Sequence, residues 1–136
     1  MSPALGPYSP VRRAGDWVIT SGQIGLATDD QGVATLVEGG TIPQFRQALE
    51  NVVSVLGAEG VTLRDVVKTT LYLVDMGEFA AVNEVFSEYF PERPTRSAVA
   101  VVALPAGARV EVEAWAYAPT DKELDQGISQ SLPRNE

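Results

Sequence analysis

Short runs rich in apolar and β-branched residues occupy positions 9–13 and 17–20, separated by Ala14-Gly15-Asp16, a turn-forming cluster, and predict two strands. Ser21-Gly22-Gln23-Ile24-Gly25 then carries the chain into a glycine-flanked loop. After the turn signal Asp29-Asp30-Gln31-Gly32, residues 33–37 predict a third, short strand. From Thr41 the period changes. Phe45, Ala48, Leu49, Val52, Val53 and Leu56 recur at helical spacing and predict a one-faced helix ending near residues 57–60. Thr41 and Gln44 have the spacing of a capping box, and Pro43 falls in the first turn, where a missing N–H costs nothing. Residues 66–74 form a β-branched run suited to a central strand. Asp75 and Glu78 repeat the box-like start, and Phe79, Val82, Phe86, Tyr89 and Phe90 predict a second amphipathic helix. Two further strands are expected over 97–103 and 109–117, joined as a hairpin by Leu104-Pro105-Ala106-Gly107-Ala108. The order β-β-(β)-α-β-α-β-β predicts an α+β domain, a sheet with two helices packed on one face.

The strand near residue 100 carries information about assembly. One face holds Ala98, Ala100, Val102 and Leu104, and the other holds Val99, Val101 and Ala103, so both are apolar. Two helices cover only one side of such a sheet. The other side calls for a second copy of the chain, and a homo-oligomer is expected. After Pro119 the composition turns polar and loses periodicity, which divides the chain into a single domain over 1–118 and a polar tail over 119–136.

Charge and composition narrow the chemistry. The formal charge is −8 and the ten basic residues are scattered, so nucleic acid and acidic membrane surfaces are unfavourable partners. The chain has no cysteine and no histidine, which removes thiol and Ser-His nucleophile systems and makes a transition-metal site unexpected. Chemistry must come from Arg, Asp/Glu, Ser/Thr, Tyr, backbone and water. No span approaches 18 apolar residues and no basic segment precedes an apolar run, which points to a cytoplasmic protein.

The candidate chemistry centres on residues 94–114. Arg96 stands at the mouth of an apolar strand, and its planar fork can grip a carboxylate through two charge-assisted hydrogen bonds. Glu111 and Glu113 alternate with Val110, Val112 and Ala114, so the two acids share one sheet face. A hairpin of these strands would set a cation and a carboxylate on either side of one small ligand. A carboxylate in a covered seam is partly desolvated, gains proton affinity and can hold or activate water, and the pattern does not choose between the two acids. Gly6-Pro7-Tyr8-Ser9-Pro10 places a phenol on a stiff segment. Ser21 beside Gly22 can offer a hydroxyl and backbone N–H groups. Lys68 and Lys122 have no surrounding cofactor pattern, and no phosphate-cradling glycine motif occurs.

Five pieces in register resemble the RidA/YjgF family of reactive-intermediate (imine/enamine) deaminases: Gly6-Pro7-Tyr8-Ser9, Ile19-Thr20-Ser21-Gly22-Gln23-Ile24, Val67-Lys68-Thr69-Thr70, Phe79-Ala80-Ala81-Val82-Asn83, and Pro94-Thr95-Arg96-Ser97 through Val110-Glu111-Val112-Glu113-Ala114. The similarity spans about residues 5–118. It implies a chorismate-mutase-like mixed sheet, a homotrimer with pockets between subunits, and no cofactor. It also implies hydrolysis of small 2-imino acids, such as 2-iminopropanoate from 2-aminoacrylate, to 2-oxo acids and ammonia. By this resemblance Arg96 binds the substrate carboxylate, Glu111 positions the water, Tyr8, Ser21 and Gly22 line the pocket, and Ala98 contributes its backbone carbonyl. Many members carry cysteine at the position of Ala98. The connection Pro91-Glu92-Arg93 is shorter than in many relatives, which reshapes the pocket rim, and the tail after Pro119 has no counterpart. A binding or holdase module and an endoribonuclease are the rival readings.

Overall fold

The computed structural model describes residues 5–120, so most of the tail expected over 119–136 lies outside the described residues. The elements are β1 (Val11–Ala14), β2 (Trp17–Thr20), β3 (Leu26–Thr28), β4 (Ala34–Leu36), α1 (Thr41–Gly57), β5 (Val66–Leu73), α2 (Phe79–Tyr89), β6 (Thr95–Ala100) and β7 (Val110–Tyr117). Five strands form one mixed sheet in the order β1-β2-β7-β5-β6, with only β5 and β6 parallel. The α+β class and the two helices on one face agree with expectation. β3 and β4 pair separately as a small second sheet. β3 was not expected, because three residues are too few to show a period.

The core lies between the sheet and the two helices. Phe45, Ala48, Leu49, Val52 and Leu56 of α1 and Val82 of α2 are fully buried against Val18, Leu71, Leu73, Val110, Val112, Ala114 and Ala116. The helical faces depart from the expected stripes at single positions. Val53, placed on the apolar face by spacing, is 38% exposed, whereas Val55 and Val85 are buried.

The capping box predicted from Thr41 and Gln44 does not form. Helix α1 starts after Gly39 and Gly40, whose φ values of 110° and 91° suit glycine, and no side chain caps it. Tertiary partners take those polar groups instead. Thr41 Oγ1 donates to Glu78 Oε1 at 2.6 Å and accepts from Arg109 Nε at 2.8 Å, while Gln44 Oε1 accepts the Arg109 backbone N–H at 2.8 Å. This knot pins the start of α1 to the start of β7 and to the turn before α2. There, Asp75 accepts from the Gly77 N–H as expected of a cap, although it caps the 3-10 turn Met76–Glu78 and not α2 itself.

The hairpin expected between the strands at 97–103 and 109–117 is also absent. β6 ends at Ala100 and lies at the sheet edge, and β5 separates it from β7. The reason is the parallel β5-α2-β6 crossover, which carries β6 to the far side of β5 and leaves the flank facing β2 to β7. Among the described residues, no helix is long and apolar enough to cross a membrane.

Asn51, buried on α1, donates through Nδ2 to the carbonyls of Ile24 and Leu26 at 3.0 Å each, tying the β3–β4 unit to the main body. Replacing Asn51 with Ala removes both of these bonds and leaves the Ile24 carbonyl only the Leu26 N–H at 2.8 Å. Urea denaturation of Asn51→Ala is expected to show a loss of about 1–3 kcal/mol, and an unchanged midpoint would contradict this role.

Candidate functional site

Two half-sites form on opposite faces of the sheet. Strand β6 supplies the first. Arg96 lies in one row with Thr69 of β5 and Ala114 of β7, both fully buried, so its side chain emerges on the helix-covered face. Its guanidinium sits over the rings of Phe86 and Phe79, at 4.8 and 5.2 Å from their centroids. Among the described residues no carboxylate lies within ion-pairing distance of it. Burial lowers its pKa, which marks a cation partly stripped of water without a countercharge. Around it opens a groove of about 600 Å³ lined by Asn83, Phe86, Ser87, Arg93 and Pro94 among others. The Asn83 Oδ1 atom is buried there without a partner.

Because β6 is an edge strand, half of its backbone groups have no partner strand. Val101 N–H donates to the Leu73 carbonyl at 2.8 Å. In a parallel ladder the same parity turns Ser97 and Val99 toward β5, so Arg96, Ala98 and Ala100 present their N–H and C=O groups to the open edge. The Ala98 carbonyl is therefore a free acceptor close in sequence to Arg96.

Strand β7 supplies the second half-site. Glu111 and Glu113 alternate with buried Val110, Val112 and Ala114, which places both acids on the sheet face away from the helices, as the sequence pattern predicts. Tyr72, opposite Glu111 in the register, donates its hydroxyl to Glu113 Oε1 at 3.1 Å. Glu111 is left half-buried. Its pKa is raised, first by desolvation and then by the neighbouring Glu113 charge.

The loop after β2 closes over Glu111. Gln23 pairs with Val112 through reciprocal backbone bonds of 2.7 and 3.0 Å, so the chain continues alongside β7 where β2 has ended. This lays Gly22 against the acid: a Cβ at Gly22 would meet Glu111 Oε2 at 2.2 Å and Cδ at 2.7 Å. Gly22 is thus a cradle whose missing side chain gives the carboxylate its place. Ser21 donates its hydroxyl to the Ser9 carbonyl at 2.7 Å, and its N–H donates to Pro10 at 2.9 Å. The hydroxyl proton expected to face a ligand instead anchors the segment that carries Tyr8, a residue that remains half exposed.

The structure therefore gathers Glu111, Gly22 and Ser21, with Tyr8 tethered through Ser9, and separately gathers Arg96 and the Ala98 carbonyl. It does not bring Arg96 and Glu111 together within one chain. The earlier picture of both on one hairpin fails because β5 lies between their strands and their side chains point to opposite faces. The sequence pattern gave Asn83, Tyr72 and Gln23 no place in the site, and it named Arg93 only within the short connection at the pocket rim. A polar residue interrupting the apolar stripe Phe79, Val82, Phe86 was the available signal for Asn83, and the short connection Pro91-Glu92-Arg93 was the signal for Arg93.

The chain matches the family model described as Endoribonuclease L-PSP over residues 1–118. It is 44% identical over 114 residues to the mouse 2-iminobutanoate/2-iminopropanoate deaminase, covering 83% of this chain and 82% of that one. It is 45% identical over 114 residues to a RutC family protein of Pyrococcus horikoshii, covering 83% of this chain and 88% of the relative. The structure of E. coli TdcF with bound serine aligns with a TM-score of 0.74 at 37% identity, over 84% of this chain and 90% of that one.

Gly22→Ala should drive the Glu111 carboxylate out of its cradle and into water. The expected result is a fall in the Glu111 pKa toward the ordinary carboxylate range, read by NMR titration of the side-chain carboxyl carbon. An unshifted titration would show that the cradle does not hold the acid.

Proposed function

We propose, from the premise that the chain belongs to the RidA/YjgF family, that it hydrolyses short 2-imino acids to 2-oxo acids and ammonia, at sites completed between copies of the chain in a homotrimer. The observation that carries this reading is Arg96: a guanidinium with no countercharge among the described residues, stacked on two phenylalanines beside an unpaired sheet edge. A small carboxylate supplies the missing charge through a bidentate contact. The names of the mammalian relatives, and the bound serine of the TdcF structure, support a 2-substituted carboxylic acid as ligand.

The two half-sites lie on opposite faces of one sheet, so a site needing both draws Arg96 from one copy and Glu111 from its neighbour. The exposed apolar residues on the outer face, Trp17, Trp115, Tyr117 and Val99, support such a covering. In the assembled site Arg96 turns C2 of the imine toward a water held by Glu111 and the Ala98 carbonyl. Glu111 takes a proton as the water oxygen bonds to C2 and the C=N electrons move to nitrogen, forming a carbinolamine. The proton passes to the amine, the C–N bond breaks with the pair leaving on nitrogen, and the hydroxyl oxygen closes to the ketone as its own proton is lost. A protonated imine is already electrophilic, so placement of water and carboxylate is the main requirement. A −8 chain with scattered cations favours a small anion held at one arginine over a polyanion spread across the surface.

Removing two charge-assisted bonds worth about 1.5 kcal/mol each predicts that Arg96→Ala lowers the acceleration of imine hydrolysis by roughly a hundredfold. Ammonia release from an imine generated in situ would measure it, and a rate equal to the unmodified protein would remove the assignment. The shared site has its own check. Arg96→Ala and Glu111→Gln chains, each nearly inactive alone, should recover about a quarter of full activity when co-assembled at random in equal amounts; no recovery would place both residues in one chain's site.

Glu111 must be ionised to accept a proton from water. Its raised pKa puts the acid limb of the rate above the ordinary carboxylate range, with activity lost as pH falls through it. Glu113→Gln removes a like charge, so the limb should move to lower pH; an unmoved limb would mean that Glu111 is not the titrating base.

A further inference from the structure

We infer that the Arg96 groove takes a second anionic group, held by Arg93, so that the substrates it fits best are acidic 2-imino acids carrying a carboxylate in the side chain. This inference rests on the proposed function for the reaction, and on the groove alone for the ligand.

Two arginines, Arg93 and Arg96, line the same groove, and no acidic residue is among those that line it. Like Arg96, Arg93 forms no ion pair among the described residues. Two acids adjoining the lining residues in sequence are engaged elsewhere. Glu88 holds Arg46 through bonds of 2.8 and 3.3 Å, and Glu92 faces Arg64 at 3.8 Å. In a chain of net charge −8, two uncompensated cations three residues apart form a local field of the opposite sign.

The backbone at Arg93 adds an independent observation. Its φ is 58°, in the left-handed region, and Pro94 follows it, which restricts the preceding residue further. The turn is closed by the Arg93 N–H donating to the Phe90 carbonyl at 3.1 Å. Glycine or asparagine satisfies such a position at little cost, whereas a longer side chain such as arginine's is strained there. The turn itself does not ask for a cation; the groove does. Asn83 and Ser87, one helical turn apart on α2, supply neutral hydrogen-bonding groups in the same groove, and Asn83 Oδ1 is still without a partner. A three-carbon acid clamped at Arg96 fills only part of this space, whereas an acid with a second carboxylate reaches the rim where Arg93 stands.

The test compares 2-oxoglutarate with pyruvate as product-like ligands, by calorimetry on the intact chain. The unmodified protein should bind 2-oxoglutarate about fivefold more tightly, the worth of one exposed ion pair. Arg93→Gly, which suits the turn, should bring the ratio near one, and Arg93→Glu should invert it. In parallel, the accelerations of hydrolysis of the imines formed from glutamate and from alanine by amino-acid oxidases should show their ratio falling about fivefold in Arg93→Gly. Equal affinities for the two acids, or a ratio indifferent to Arg93, overturns this inference even if imines are hydrolysed. Arg93-dependent preference for 2-oxoglutarate without any hydrolysis keeps the dicarboxylate groove and overturns the proposed reaction.

Discussion

The insertion of β5 between β6 and β7 governs how this molecule can work. Side chains alternate across a sheet, so parity alone decides that Arg96, level with Thr69 and Ala114, meets the helices, while Glu111, level with Tyr72, meets the opposite side. A shift of one residue in either register would flip a half-site to the other face. The proposed function rests on this separation: Arg96 lies on one face of the sheet and Glu111 on the other, so one chain does not bring them together.

The same cause acts on both half-sites with opposite sign. Desolvation lowers the pKa of Arg96 and raises that of Glu111, because in each it disfavours the charged form. Among the described residues, neither group is relieved by a countercharge. For Arg96 the neighbours are aromatic rings, and for Glu111 the nearest charge is another carboxylate. Such uncompensated groups are costly in a folded protein, and a ligand or partner that restores the balance gains what the fold forgoes.

Stability is supplied away from these positions. The knot of Arg109, Thr41, Glu78 and Gln44 joins α1, β7 and the turn before α2, and Asn51 ties the small β3–β4 sheet to α1. Both are satisfied polar networks adjoining a well-packed apolar layer. They hold the entry to β7 and the loop that carries Gly22, the two segments on which the Glu111 cradle is built.

Periodicity along the chain was sufficient for the helices at 41–57 and 79–89, for the central strand at 66–73, and for the shared face of Glu111 and Glu113, because a repeat of 3.6 or 2 is written in neighbouring residues. The five family-like pieces contain Arg96, Ala98, Gly22 and Glu111, the residues on which the proposed site rests. The sequence could not tell which strands become neighbours: the hairpin it suggested gave way to a crossover, since strand pairing depends on contacts between residues far apart. It also could not tell that Thr41 and Gln44 would abandon the helix end for Arg109, or that Ser21 would spend its hydroxyl on Ser9. Those choices weigh local hydrogen bonds against distant ones, and only the closed tertiary structure brings the distant partners within reach.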